Sequence, residues 1–224
     1  MRTDTSRRSF VTAGLAMPVA GLATGSAPVA SVTQNAAPQG MVAYRTLGKT
    51  GLRVSTVGFG CMITSDASVV ERAVDMGITY FDTARLYQGG NNERMVGVVL
   101  KGKRDKVVLS TKSVSKTKAE ALTDLDTSLK LLGTDHVDIW YMHGKDDPKD
   151  ITDELFDAWE TAKQQGKIRF IGLSTHQPNA VAGRVLQAGK HEVLLSVYNF
   201  AVGTGSAVIS QIVNASSGKG FSLQ

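Results

Sequence analysis

One unit recurs along this chain: a helix-forming segment, then a glycine, then a short apolar run. It occurs five times after residue 41, with the glycine at Gly77, Gly102, Gly133, Gly166 and Gly189. A glycine directly after a helix supplies the left-handed residue that reverses the chain, so each unit predicts a helix followed by a strand. The apolar runs do not alternate with polar residues, which is typical of strands covered on both faces. The repeat therefore predicts an α/β fold built on a parallel sheet.

The segment bounds follow from the apolar periodicity and from the helix capping residues. Residues 52–60 supply a first strand, which gives six strands joined by five helices. Thr117, with Glu120 three residues later, forms a capping box, and Asp150 is expected to cap the helix that follows it. The predicted helices span residues 69–76, 93–101, 117–132, 151–165 and 179–188, and the strands after them span residues 78–81, 107–110, 137–142, 168–173 and 193–198.

Alternating strands and helices are compatible with an open doubly wound sheet or with a (β/α)8 barrel of the TIM type. The first strand is not followed by a GxGxxG motif, which disfavours the dinucleotide-binding open sheet. Residues 44–54 predict a hairpin that closes one end of a barrel. Residues 206–215 predict a further helix, and residues 221–224 the opening of a seventh strand. Because complete barrels have about 250 residues, we expect residues 41–224 to form an incomplete barrel with about six of its eight strands.

The first forty residues have a different composition. Arg7 and Arg8 precede Phe10 and a mildly apolar, Ala- and Gly-rich run, which leads into a stretch of small residues. This order is typical of an export signal, and the paired arginines resemble the twin-arginine type. We therefore expect residues 1–40 to be a leader, residues 41–224 to be the folded domain, and the location to be periplasmic or otherwise exported. The alternative is a disordered basic tail, with a cytoplasmic protein if translation starts at Met41.

Composition excludes several classes of protein and of site. The apolar run of the leader is too short for a permanent membrane anchor. The single cysteine, Cys61, cannot form an internal disulfide, and no histidines or acids have the spacing of metal ligands, so we expect no metal. The formal net charge of +5 is spread along the chain and gives no case for a nucleic-acid partner.

Polar side chains stand at the ends of three successive predicted strands. Asp82, Lys112 and His143 each follow an apolar run, and Tyr87 lies five residues after Asp82. The carboxyl ends of parallel barrel strands open onto one face, so these residues are expected to be neighbours. An ammonium group near a tyrosine favours the phenolate, which makes the hydroxyl a responsive acid, and a carboxylate holds the ammonium in place. A histidine can orient a carbonyl oxygen, and the hydride must come from a reduced nicotinamide.

These residues carry a resemblance to a known family. The chain resembles the aldo-keto reductases through residues 77–87 (GITYFDTARLY), residues 107–112 and residues 138–143, and the likeness runs from about residue 44 to the end. It implies a (β/α)8 barrel that reduces a small-molecule aldehyde or ketone with NADP, or alternatively NAD, as cofactor. It also implies Tyr87 as general acid, Lys112 and Asp82 as the groups that tune it, and His143 as the group that orients the substrate.

The same resemblance implies cofactor contacts at Gly60, Cys61 and Asp82 and, after the fifth strand, at Ser174 and Thr175. Three features depart from the family pattern. Thr175 stands where an asparagine is usual, Leu195 stands where a glutamine is common, and residues 89–93 (GGNNE) replace the usual single-glycine turn before the second helix.

The expected absence of two strands leaves other functions open. The chain is either an active reductase, a catalytically inactive remnant of one, or a binding subunit that senses a nucleotide without turnover. Unpaired edges of a partial barrel would also allow pairing with a second copy.

Overall fold

The computed structural model describes residues 42–197 and the backbone of residues 222–223. The predicted leader and the predicted helix at residues 206–215 lie outside these described residues. None of the described helices is long and apolar enough to cross a membrane.

The sheet is parallel, and its strands lie side by side in chain order. The strands are β1 (Tyr44–Thr46), β2 (Arg53–Ser55), β3 (Phe59–Gly60), β4 (Tyr80–Asp82), β5 (Val108–Ser113), β6 (Val137–Met142), β7 (Ile168–Thr175), β8 (Val193–Ser196) and β9 (Ser222–Leu223). The helices are α1 (Ala67–Asp75), α2 (Asn91–Leu100), α3 (Lys118–Leu132), α4 (Asp153–Gln164) and α5 (Pro178–Ala188). Strands β3 to β9 form one parallel sheet, and β1 and β2 form a separate antiparallel hairpin.

This architecture confirms the predicted fold class, an α/β fold of the (β/α)8 type with an incomplete barrel. Five helices join the six strands β3 to β8, as the repeat predicts, and β9 is the expected seventh strand. Within the part of the chain that the structure describes, the sheet stays open, with β3 at one edge and β9 at the other.

Several predicted boundaries differ from the structure, and two of these differences have a clear local reason. Residues 52–60 are not one strand, because the chain turns after Ser55, whose hydroxyl donates to the Val57 carbonyl at 2.7 Å. Asp150 does not cap α4; it ends a short 3-10 turn, and Thr152 caps the helix by accepting from the Leu155 amide at 3.3 Å. Both errors come from short polar turns that the apolar periodicity does not register.

Two layers of apolar side chains hold the fold together. The larger layer lies between the sheet and the helices, where Trp140 of β6 stacks on Trp159 of α4 with ring centroids 3.8 Å apart. The Trp159 indole also donates to the Trp140 carbonyl at 2.6 Å. The smaller layer fills the inner side of the sheet, where Leu47 and Val54 of the hairpin segment pack against the first residues of the strands. The hairpin therefore closes the amino-terminal end of the barrel, which leaves the opposite end free for a site.

Two glycines inside helices test this packing, because one is in close contact with a neighbouring helix and the other is not. Their alanine substitutions should therefore have opposite effects on stability. A Cβ at Gly97 of α2 would lie 2.5 Å from the Leu132 carbonyl oxygen at the end of α3, whereas a Cβ at Gly183 of α5 would meet nothing within 4 Å. We expect Gly97→Ala to destabilise the fold by about 1–3 kcal/mol, because backbone cannot move aside as a side chain does. Gly183→Ala should stabilise it by about 0.5–1 kcal/mol through helix propensity.

The free energy of unfolding in urea measures both changes on the same chain. Equal effects of the two substitutions would contradict the close approach of α2 to α3.

Candidate active site

The predicted site residues reach the carboxyl-terminal rim of the sheet on three adjacent strands. Asp82 is the last residue of β4, and it is paired in register with Ser110 of β5. Lys112 lies inside β5, because this strand continues to Ser113 rather than ending at residue 110 as predicted. His143 directly follows β6, and its backbone amide donates to the Ser113 carbonyl at 2.9 Å. Parallel pairing in register thus places the three side chains side by side.

A buried ammonium group joins Asp82 to Tyr87. Lys112 is only 2% exposed, and its Nζ forms a short ion pair with Asp82 Oδ2. The same Nζ donates to the Thr83 carbonyl at 2.8 Å and to the Tyr87 hydroxyl at 3.3 Å. All three donors of the ammonium therefore have acceptors, as a buried charge requires.

The loop after β4 holds Tyr87 in this position. Backbone amides of Thr83 and Arg85 donate to carbonyls of β5 at 3.0 Å each, so the strand pairing continues into the loop. The next residue after the tyrosine, Gln88, has a φ of +51°, which non-glycine residues rarely adopt. Its side-chain amide donates to the Thr64 carbonyl at 2.8 Å, which ties this turn to the loop after β3. The tyrosine is thus carried on a turn pinned from two sides.

His143 lies beside Tyr87 as a neutral ring. The two ring centroids are 5.7 Å apart, and the planes are nearly perpendicular. Burial lowers the pKa of His143 from 6.5 to about 4, and the positive charge of Lys112 acts in the same direction. Its Nδ1 is buried without a hydrogen-bond partner among the described residues. At neutral pH the imidazole therefore carries one proton, and it can donate one hydrogen bond to a ligand.

These side chains enclose a single cavity of about 190 Å³. All four predicted catalytic residues line it, together with Ser174 and Thr175 from the end of β7. The remaining lining residues are His176, Leu195, Ser196 and Val197. The structure thus brings the four residues and two of the predicted cofactor contacts to one place.

The other predicted cofactor contacts lie apart from this cavity. Gly60 lines a neighbouring cavity of about 240 Å³, which shares Asp82 and Leu195 with the first. The side chain of Cys61 points into the core between sheet and helices, and burial raises the pKa of its thiol to about 12. Its backbone amide already donates to the Asp82 carbonyl at 2.8 Å. Cys61 therefore has no free backbone amide or ionised thiol to offer a ligand.

A second polar group at the rim comes from the loop after β6. Asp146 accepts from the Thr175 hydroxyl at 2.9 Å and from the His176 backbone amide at 2.7 Å, and its other oxygen lies 3.1 Å from His176 Nδ1. The Ser174 hydroxyl accepts from the Gly144 amide at 2.9 Å. The hydroxyls of Ser174 and Thr175 thus already have partners within the protein.

Sequence reasoning missed a polar residue of the cavity, Ser196. Ser196 ends β8, and its hydroxyl is buried without a partner among the described residues. The predicted strand ran to residue 198, which placed this serine inside a strand rather than at its end. A buried hydroxyl that lines a cavity and has no partner in the protein can form a hydrogen bond with a polar group of a ligand.

Two further histidines lie outside the cavity. His191 is buried against Phe156, away from the cavity, and its burial lowers its pKa to about 3. His136 pairs with Asp135 at 2.7 Å. Among residues 42–197, no three His, Cys, Asp or Glu side chains are close enough together to hold a metal ion.

Comparison with known proteins gives a consistent family. Residues 63–200 match the model of the Aldo/keto reductase family. The chain is 34% identical over 154 residues to "Uncharacterized oxidoreductase YqkF" of Bacillus subtilis (strain 168), a match that covers 61% of this chain and 50% of the relative. It is 31% identical over 163 residues to "L-glyceraldehyde 3-phosphate reductase" of Escherichia coli (strain K12), covering 62% and 47%.

A solved structure shares the fold. The aldo-keto reductase AKR11C1 from Bacillus halodurans (holo form) superimposes with a TM-score of 0.70 at 30% identity, over 82% of this chain and 66% of that one. The chain spans about half the length of the curated relatives it matches.

The protonation of His143 can be checked directly by NMR. We expect its imidazole to titrate near pH 4, and Lys112→Met to raise this pKa while leaving it below 6.5, since burial is the larger cause. Because the folded pKa lies below the unfolded one, the neutral ring contributes stability above pH 6.5 that is lost as the pH falls towards 4. The His143→Gln variant assigns the signal, and a midpoint near 6.5 in the unsubstituted chain would contradict the burial of this ring.

Proposed function

Because the chain belongs to the aldo/keto reductase family, we propose that it reduces the carbonyl group of an aldehyde or ketone with a reduced nicotinamide cofactor. The observation that carries this proposal is the cavity in which Tyr87, Lys112, Asp82 and His143 meet. NADPH is the proposed cofactor, with NADH as the alternative. The substrate is a small molecule, since the cavity is about 190 Å³ in volume.

Tyr87 is the proposed general acid. Tyr87 lines the cavity, and its hydroxyl accepts a hydrogen bond from the Lys112 ammonium at 3.3 Å. As the carbonyl carbon is reduced, its oxygen becomes an alkoxide, and the Tyr87 hydroxyl transfers its proton to that oxygen. The positive charge of Lys112 stabilises the phenolate that remains, and Asp82 keeps the ammonium in place.

His143 is the proposed orienting group. A neutral imidazole can donate a hydrogen bond to the carbonyl oxygen without competing with Tyr87 as a strong acid. The low pKa of His143, about 4, keeps the ring neutral over the physiological range. Its near-perpendicular contact with Tyr87 supports this role, because the two rings are neighbours in the lining of the cavity.

The nicotinamide supplies the hydride that reduces the carbonyl carbon. Ser196, whose hydroxyl has no partner among the described residues, is proposed to hold it at the rim of the cavity that Ser174 and Thr175 also line. Leu195 stands where the family commonly has a glutamine, and a leucine side chain cannot form a hydrogen bond. The adjacent Ser196 is proposed to make a polar contact with the cofactor in its place. The hydroxyls of Ser174 and Thr175 fix the loop after β6 as well, which makes that wall of the cavity rigid.

Replacing the proposed acid tests this function. We expect the full chain to oxidise NADPH in the presence of benzaldehyde, measured by the loss of NADPH absorbance. Tyr87→Phe removes only the hydroxyl, so the rate should fall by about 10²–10⁴ while the fold is retained. Tyr44→Phe is the matched control, because Tyr44 lies in the hairpin and its hydroxyl donates to the Gly77 carbonyl after α1, away from the rim.

Three outcomes contradict the proposal. Full activity in the Tyr87→Phe variant would remove the tyrosine from the mechanism. Tight binding of NADPH without any turnover in the unsubstituted chain would favour the nucleotide-sensing subunit instead. An unsubstituted chain that neither binds NADPH nor turns over would favour the inactive remnant.

A further inference from the structure

Three buried hydroxyl groups on the inner side of the sheet lie in a row that ends at the active site. The Tyr141 hydroxyl of β6 is 3.2 Å from the Tyr80 hydroxyl of β4, which is 2.8 Å from Ser110 Oγ of β5. Ser110 Oγ lies 2.5 Å from Asp82 Oδ1, while the other carboxylate oxygen of Asp82 holds Lys112. The row thus connects three neighbouring strands to the ion pair behind Tyr87.

The direction of these hydrogen bonds follows from their last acceptor. Asp82 forms an ion pair with the Lys112 ammonium, and an ionised carboxylate only accepts, so Ser110 must donate to it. Ser110 then accepts from Tyr80, and Tyr80 accepts from Tyr141. Hydrogen bonds that run in one direction polarise one another. The bonds from Tyr141 and Tyr80 therefore strengthen the hydrogen bond that Ser110 donates to the Asp82 carboxylate.

The backbone makes room for this row of hydroxyls. Gly172 of β7 is paired with Tyr141, and a Cβ there would lie 2.3 Å from Cδ1 of its ring. A Cβ at Gly58 would lie 2.8 Å from Cδ1 of Tyr80. Branched apolar side chains dominate the interior of barrels of this type. Two tyrosines, each facing a glycine that accommodates the ring, are therefore a specific arrangement rather than ordinary filling.

We propose that Ser110 and Tyr80 are positioning residues that fix Asp82 from inside the barrel, so that Lys112 stays in contact with Tyr87. This inference rests on the proposed reductase function. Asp82 is the last residue of a strand of only three residues, and its side chain is partly exposed. Without Ser110, its carboxylate loses the inner partner, and the carboxylate can rotate away from Lys112. Tyr80 acts on Asp82 only through Ser110, and Tyr141 acts only through Tyr80 and Ser110.

The row predicts a graded loss of turnover. We expect Ser110→Ala to lower kcat for benzaldehyde reduction about tenfold or more with KM changed by less than about twofold, because the effect is on the proton-transfer group rather than on binding. Tyr80→Phe keeps the ring and should cost less, a few-fold at most. It also remains informative if Ser110→Ala folds poorly.

Thr111→Val is the matched control. Thr111 is the next residue of β5, and its hydroxyl also donates to a buried carboxylate, Glu93 Oε1, at 2.6 Å, but on the helix side of the sheet. This variant should lose stability as Ser110→Ala does and keep kcat and KM.

A second measurement is independent of turnover. The Lys112 ammonium should give a slowly exchanging signal in hydrogen–nitrogen correlation NMR, because all its protons are bonded within the protein; Lys112→Met assigns it. We expect this signal to broaden or vanish in Ser110→Ala and to persist in Thr111→Val.

The two measurements separate the inference from the function on which it rests. If the unsubstituted chain has no turnover and the Lys112 signal still responds to Ser110→Ala alone, the positioning role stands and the reductase function fails. If the Lys112 signal is unchanged in Ser110→Ala, or if Ser110→Ala and Thr111→Val lose kcat equally, the positioning role is overturned.

Discussion

A buried ammonium group is the constraint on which the rest of the candidate site depends. An unpaired charge in a protein interior costs several kcal/mol, so Lys112 must be fully bonded wherever the fold buries it. The parallel sheet provides the means, because the ends of β4 and β5 lie in register and bring Asp82 and the Thr83 carbonyl to the same ammonium. The last donor of Lys112 is left for Tyr87. One electrostatic requirement thus fixes the positions of an acid, a cation and a carboxylate together.

The parts of the fold that repeat could be predicted from the sequence. Each unit of helix, glycine and apolar run encodes its own secondary structure, so the six strands, the five helices and the meeting of Asp82, Lys112 and His143 at one rim follow from spacing and parallel pairing. The wrong boundaries at residue 55 and at the start of α4 have local causes. Ser55 and Thr152 use their hydroxyls to end or begin an element, and no apolar periodicity marks such positions.

The interior of the barrel could not be predicted in the same way. Ser110, Tyr80 and Tyr141 are distant in sequence, and in an apolar run a serine or a tyrosine is indistinguishable from filling. Only the register of three strands shows that their hydroxyls meet. Ser196 could not be predicted for a related reason, since its place at the rim depends on where β8 ends. Contacts across strands, rather than patterns along the chain, determine which polar groups belong to the site.

The coupling between Asp82 and Lys112 tests the account most directly. Asp82→Asn, Lys112→Met and the double substitution form a cycle, with kcat/KM for benzaldehyde reduction by NADPH measured in each. If the pair acts as one unit behind Tyr87, the double variant should lose no more activity than the more damaged single variant. Losses that multiply would show that the two residues act independently, and would contradict the ion pair as the element that organises the site.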